Sequence, residues 1–149
     1  MLERSIQQLI ERYLSVSFLV NKRGAALMKC ELDDVTHDQY YVLRYIYKRG
    51  VCTSTELADV FAVNKSAITA MTNRLVEKGM IERGRGGDDR RIIALSLTEK
   101  GRKWLEETEQ NVYELVEAIM TKLSHEEIEQ FIQTYEKLAM ILQEMGESK

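Results

Sequence analysis

Three features of the sequence predict a mainly α-helical fold that carries one small β-hairpin. Apolar residues recur at steps of three and four at both ends of the chain, as one stripe of an α-helix requires. Ser/Thr-x-x-Glu/Gln capping boxes stand before three of the expected helices. At a single place, around a Gly/Asp-rich turn, the period drops to two.

The elements follow in order. Residues 2–29 read as a long helix, with Leu2, Ile6, Leu9, Tyr13, Val16 and Val20 on one stripe. The polar stretch Glu31–Asp34 breaks it. Thr36 and Gln39 form a capping box for a helix that runs to about Arg49 and stops at Gly50. Thr53 and Glu56 form a second box, opening a short helix through Phe61. Asn64 is placed to cap the next, from Lys65 to about Lys78, with Ile68, Met71, Thr72 and Leu75 inward. Two short helices with so tight a connection make a helix-turn-helix. Ile81–Arg85 and Ile92–Leu97 then read as two strands around Gly86–Asp89, a hairpin whose position makes it a wing. Thr98 caps a long helix to about Lys122, weakened locally by Gly101 in its first turn. A third box, Ser124 to Glu127, opens the last helix. The chain therefore divides into an N-terminal helix (1–35), a winged helix-turn-helix (36–98) and C-terminal helices (99–149).

Composition narrows the function. No apolar run approaches the roughly 18–20 residues of a membrane span, so no membrane partner is expected. The start Met-Leu-Glu-Arg-Ser has no charged-then-apolar leader, and two cysteines are too few for a disulfide framework. A cytoplasmic protein is expected. The net charge of −3 is unevenly spread. Residues 64–103 hold 10 basic and 5 acidic side chains, whereas residues 104–149 hold 3 and 11. A basic central block beside an acidic tail is the footprint of a nucleic-acid contact with a definite location.

Side chains on the helix from Lys65 step 100° around its axis. With Ile68 inward, Ser66, Ala70, Asn73 and Glu77 point away from the core, and Thr69 and Arg74 lie on the shoulders. A face of small polar groups suits the major groove of double-stranded DNA, about 12 Å wide. Asn73 is a candidate for reading an adenine edge, and Arg74 for a guanine edge or a phosphate. Lys65, Ser66 and Thr69 sit at the helix N-terminus, where free amides favour phosphate. On the wing, Arg90 and Arg91 are candidates for the minor groove, oriented by Asp88 or Asp89. Arg83 and Arg85 on the preceding strand face phosphate or pair with those aspartates.

Asn64–Arg83 (NKSAITAMTNRLVEKGMIER), Asp89-Arg90-Arg91 and Leu97-Thr98-Glu99-Lys100-Gly101, in this order and spacing, resemble the MarR family of bacterial winged helix-turn-helix transcriptional regulators. The likeness extends over nearly the whole chain. It implies a two-fold homodimer formed by the first and last two helices, bound to a pseudopalindromic operator and usually repressing neighbouring genes. Independently, outer helices with long apolar stripes must bury them, and a second copy is the simplest cover.

The resemblance also implies release from DNA by a small aromatic or phenolic effector, for which Tyr13, Phe18, Tyr40, Tyr41 and Tyr45 are candidate lining residues. Some family members sense oxidants through a cysteine near the start of the first helix. Cys30 follows that helix and Cys52 opens the helix-turn-helix, so both are expected to be buried structural thiols. No cofactor or metal is expected, because His37 and His125 are far apart and the cysteines isolated. No nucleophile–base pair or phosphate-cradling loop is visible, and Gly84–Gly87 precedes a strand rather than a helix, which argues against an enzyme. The competing reading is a winged-helix protein-interaction module that does not touch DNA. The net acidity and Glu77 favour it, and the two wing-tip arginines oppose it.

Overall fold

The structure is a computed structural model, and it describes residues 2–85 and 92–147. The elements are α1 (Leu2–Leu32), α2 (His37–Arg49), β1 (Cys52–Thr53), α3 (Ser54–Phe61), α4 (Lys65–Glu77), β2 (Ile81–Arg85), β3 (Ile93–Leu97), α5 (Glu99–Met120) and α6 (His125–Glu147). Two compact units are formed, 1–109 and 110–149, with the boundary inside α5. Among the described residues no helix is long and apolar enough to cross a membrane.

The caps are those the sequence predicts. Thr36 Oγ1 accepts from the Gln39 amide at 3.1 Å while Gln39 Oε1 accepts from the Thr36 amide at 3.1 Å. Thr53 and Glu56 repeat the pattern at the head of α3. Asn64 Oδ1 accepts from the Ala67 amide at 2.8 Å and so fixes the first turn of α4. Gly50 closes α2 at φ +83°, a conformation that costs a residue without a Cβ nothing.

The link from α3 to α4 takes a less economical route. Ala62 adopts the left-handed conformation, φ 54° and ψ 41°, where its Cβ crowds the backbone. Ala62→Gly is therefore expected to stabilise the fold by about 1 kcal/mol. Urea unfolding checks this, since an unchanged or lower midpoint would mean that the turn carries no such strain.

The core of the first unit lies where α2, α3 and α4 meet the sheet. Leu43, Ile46, Leu57, Ile68, Leu75, Ile81, Leu95 and Leu105 are all buried. The sheet has three antiparallel strands in the order β1-β3-β2. β2 and β3 pair from Ile81↔Leu97 to Arg85↔Ile93, giving the predicted wing. β1 is not visible in the sequence: Cys52 and the cap residue Thr53 itself pair with Leu95 and Ala94.

The first half of α5 is tied both to the turn after α4 and to α2. Thr98 donates from its amide to the Met80 carbonyl (3.0 Å) and from its hydroxyl to the Gly79 carbonyl (2.6 Å). Lys100 Nζ donates to the Lys78 carbonyl at 2.8 Å. Farther along, Glu109 accepts from Arg44 Nε at 2.7 Å and from the Tyr40 hydroxyl at 3.3 Å, and Glu106 accepts from the Tyr47 hydroxyl. Burial and the neighbouring Glu109 carboxylate both push the Tyr40 hydroxyl upward, so it stays a donor.

Gly101 is a packing requirement rather than a weak point of α5. The sequence marks it as a local weakness of α5, yet a Cβ built there would lie 2.0 Å from the Met80 carbonyl oxygen. Only glycine lets the first turn of α5 lie against that peptide. The residue is a contact point between α5 and the turn after α4.

Candidate nucleic-acid interface

α4 is amphipathic in the way its sequence requires. Ile68, Thr72 and Leu75 are buried, with the Thr72 hydroxyl donating back to the Ile68 carbonyl. Lys65, Ser66, Thr69, Ala70, Asn73, Arg74 and Glu77 are all exposed. The outward face thus has small residues along its middle and a cation near each end. Such a helix can approach base edges closely without bulky side chains intervening.

Two hydroxyls on this face are already engaged as donors. Ser66 Oγ donates to Asn64 Oδ1 at 2.8 Å, and Thr69 Oγ1 donates to the Lys65 carbonyl at 2.8 Å. Ser66 therefore reinforces the cap, and both hydroxyls present acceptor lone pairs outward. With the Ala67 amide taken by the Asn64 cap, the donors offered to an anion at this end are the Lys65 ammonium and the Lys65 and Ser66 amides, which lack intrahelical partners.

β2 rises from the end of α4 through Gly79, at φ +74°. The Ile81 side chain is buried, and Arg83, two residues on, points to the same side of the strand. There Arg83 Nη2 donates to Asn73 Oδ1. The sequence reading treats these residues separately, and the structure joins them. Arg85 continues β2 opposite Ile93. Arg90 and Arg91, with Asp88 and Asp89, lie outside the described residues.

This arrangement can be set beside known proteins. A family model, described as the MarR family, matches residues 35–93, from the α1–α2 turn into β3. The transcriptional repressor MdtR of Bacillus subtilis is 34% identical over 127 residues, covering 85% of this chain and 82% of MdtR. An uncharacterized HTH-type regulator of the same organism, YwhA, is 32% identical over 115 residues, covering 73% and 83%. The chain belongs to the MarR family. Its fold agrees with a crystal structure of a cysteine-to-serine mutant of MarR from E. coli complexed with operator DNA. That match has a TM-score of 0.77 and 29% identity, and covers 87% of this chain and 94% of the other.

As a MarR-family protein the chain is a winged helix-turn-helix transcriptional regulator, and the family and these relatives are regulators rather than enzymes. The residues proposed to line an effector site are dispersed. Tyr13 and Phe18 are exposed on α1. Tyr40 is buried and packs edge-on against Tyr41 at 5.2 Å, while Tyr45 packs against Phe61 at 6.2 Å. A cavity of about 450 Å³ lies elsewhere, lined by Ala25, Lys29 and residues 32–37, and none of the five reaches it.

The cysteines divide. Cys52 is buried as expected, and Cys30 is not: it is exposed on α1, whose packing in this unit runs through Leu32 in its last turn. Burial pushes the Cys52 thiol up to about 11, and the nearby Glu56 adds to the shift. Between the ordinary value of 9.0 and about 11 the unfolded chain loses this proton while the folded chain keeps it. Stability therefore falls as pH rises through that window. Alkylation at pH 9 with peptide mass mapping is expected to spare Cys52 in the folded protein and to label it once urea unfolds the chain. Equal labelling rates with and without urea would contradict the burial of Cys52.

Proposed function

We propose that this regulator is a repressor that binds a pseudopalindromic operator as a homodimer, with α4 of each copy in a major groove and the wing reaching the adjacent minor groove. The observation that carries the reading is the outward face of α4: Ser66, Thr69, Ala70 and Asn73 are exposed together, with Arg83 of β2 brought onto the same face. The likeness to a MarR structure complexed with operator DNA supports the DNA partner, and the likeness to a named repressor supports the direction of control. Lys65, Ser66, Thr69 and Arg74 are assigned to phosphates and the helix shoulders, Ala70 and Asn73, with Arg83 beside them, to the major-groove face, and Arg85, Arg90 and Arg91 to the wing.

The dimer is supported by what single copies leave uncovered. α6 has no buried residue, and Phe131, Ile132, Tyr135, Ile141, Leu142 and Met145 are exposed along it. α1 exposes Ile6, Leu9, Ile10, Tyr13, Leu14 and Phe18. Apolar surface of this extent is covered in a stable protein, and helices in residues 1–35 and 99–149 are assigned to pairing. Release by a small aromatic or phenolic effector belongs to the same reading and rests on the family likeness.

Selection of bound fragments from random and genomic duplexes tests the proposal. A two-fold symmetric sequence with half-sites centred roughly 10 base pairs apart is expected. Enrichment of an asymmetric single site, or of nothing, would overturn it.

A further inference from the structure

We propose that Asn73 is a positioning residue for Arg83 rather than a reader of adenine, and that the pair forms a donor-only surface selective for guanine. This rests on the reading that α4 faces the major groove. A guanidinium carries five donors and no acceptor, so the Asn73 atom meeting Arg83 Nη2 is the amide oxygen. The Asn73 NH₂ is the group left to face DNA. Both side chains are exposed at this meeting point, on the outward face of α4 and the adjoining strand.

Reading adenine requires the amide oxygen to accept from N6–H while the amide nitrogen donates to N7. Here the oxygen already accepts a charge-assisted bond, and a neutral adenine amino group would have to displace or share it. Guanine offers N7 and O6, both acceptors. The remaining guanidinium N–H groups are all donors, which matches guanine and leaves adenine's amino group facing another donor. Asn73 also holds a long side chain that would otherwise sample many rotamers, so the guanidinium meets DNA already oriented.

The test uses the full-length protein and a duplex enriched from a random 30-base-pair pool by the wild type. Anisotropy titrations compare that duplex with variants carrying single G·C-to-A·T changes, for wild type, Asn73→Ala, Arg83→Ala and the double variant. Circular dichroism checks that these exposed substitutions leave the fold intact. At one position per half-site the wild type is expected to prefer guanine by roughly tenfold or more. Arg83→Ala is expected to abolish that preference and Asn73→Ala to reduce it, with the double variant matching Arg83→Ala alone. Additive effects, a preference for adenine lost only in Asn73→Ala, or a base profile unchanged in every variant would overturn the proposal. Failure of the wild type to bind any duplex would instead remove the DNA-binding reading, and the pair's role with it.

Discussion

Gly101→Ala is expected to destabilise the protein by about 3 kcal/mol, a cost set by forced overpacking against backbone. Helix propensity predicts the opposite sign, because alanine inside a helix is favoured over glycine by about 1 kcal/mol. Geometry decides between them. The new methyl would stand 2.0 Å from the Met80 carbonyl oxygen and 2.8 Å from its carbon, and neither can swing aside as a side chain can. That carbonyl also accepts the Thr98 amide, so moving it breaks the bond that seats α5. Gly24 is the natural control, being helical with nothing within 4 Å of its would-be Cβ. Gly24→Ala should raise stability by about 1 kcal/mol under the same conditions. Urea midpoints for the two variants moving in opposite directions support this packing, and movement in the same direction contradicts it.

The second large effect concerns assembly. Leu142 is exposed on the apolar side of α6, in a helix with no buried residue, and the stacked pair Phe131 and Tyr135 lies on the same helix. Leu142→Glu would place a carboxylate in the surface assigned to pairing, where it would have to be buried without a cation. Sedimentation is expected to show a monomer where the wild type is a dimer. Operator affinity should fall with it, because a paired protein delivers its second reading helix at high effective concentration, worth roughly 10²–10⁴. A Leu142→Glu protein that remains dimeric, or binds the operator unchanged as a monomer, would contradict the role given to α6.

Much of the fold is legible in the sequence because the governing interactions are short-range. Thr36, Thr53 and Asn64 each bond an amide three residues on, so their helix starts are visible locally. The outward set on α4 follows from helical period once Ile68 is taken as inward, and the exposures agree. What escapes the sequence depends on partners far along the chain. β1 is two residues long and exists through pairing with Leu95 and Ala94, some forty positions later. Gly101 looks like a weak helix residue until Met80 is seen beneath it. Asn73 and Arg83 are ten residues apart on different elements, and no periodicity links a helix position to a strand position. Cys30 is misjudged because α1 meets the core through its last turn and leaves the rest of its surface uncovered.

The most direct measurement is fluorescence anisotropy of the full-length protein on a duplex enriched by its own selection, repeated across a salt series. Binding through the cations of α4 and the wing predicts that the logarithm of affinity falls linearly with the logarithm of salt concentration, by roughly 0.9 for each phosphate neutralised. Arg90→Ala and Arg91→Ala should each weaken binding and make that slope shallower. No binding to any duplex even at low salt, or an affinity indifferent to salt and to both arginines, would contradict the reading of this chain as a DNA-binding regulator.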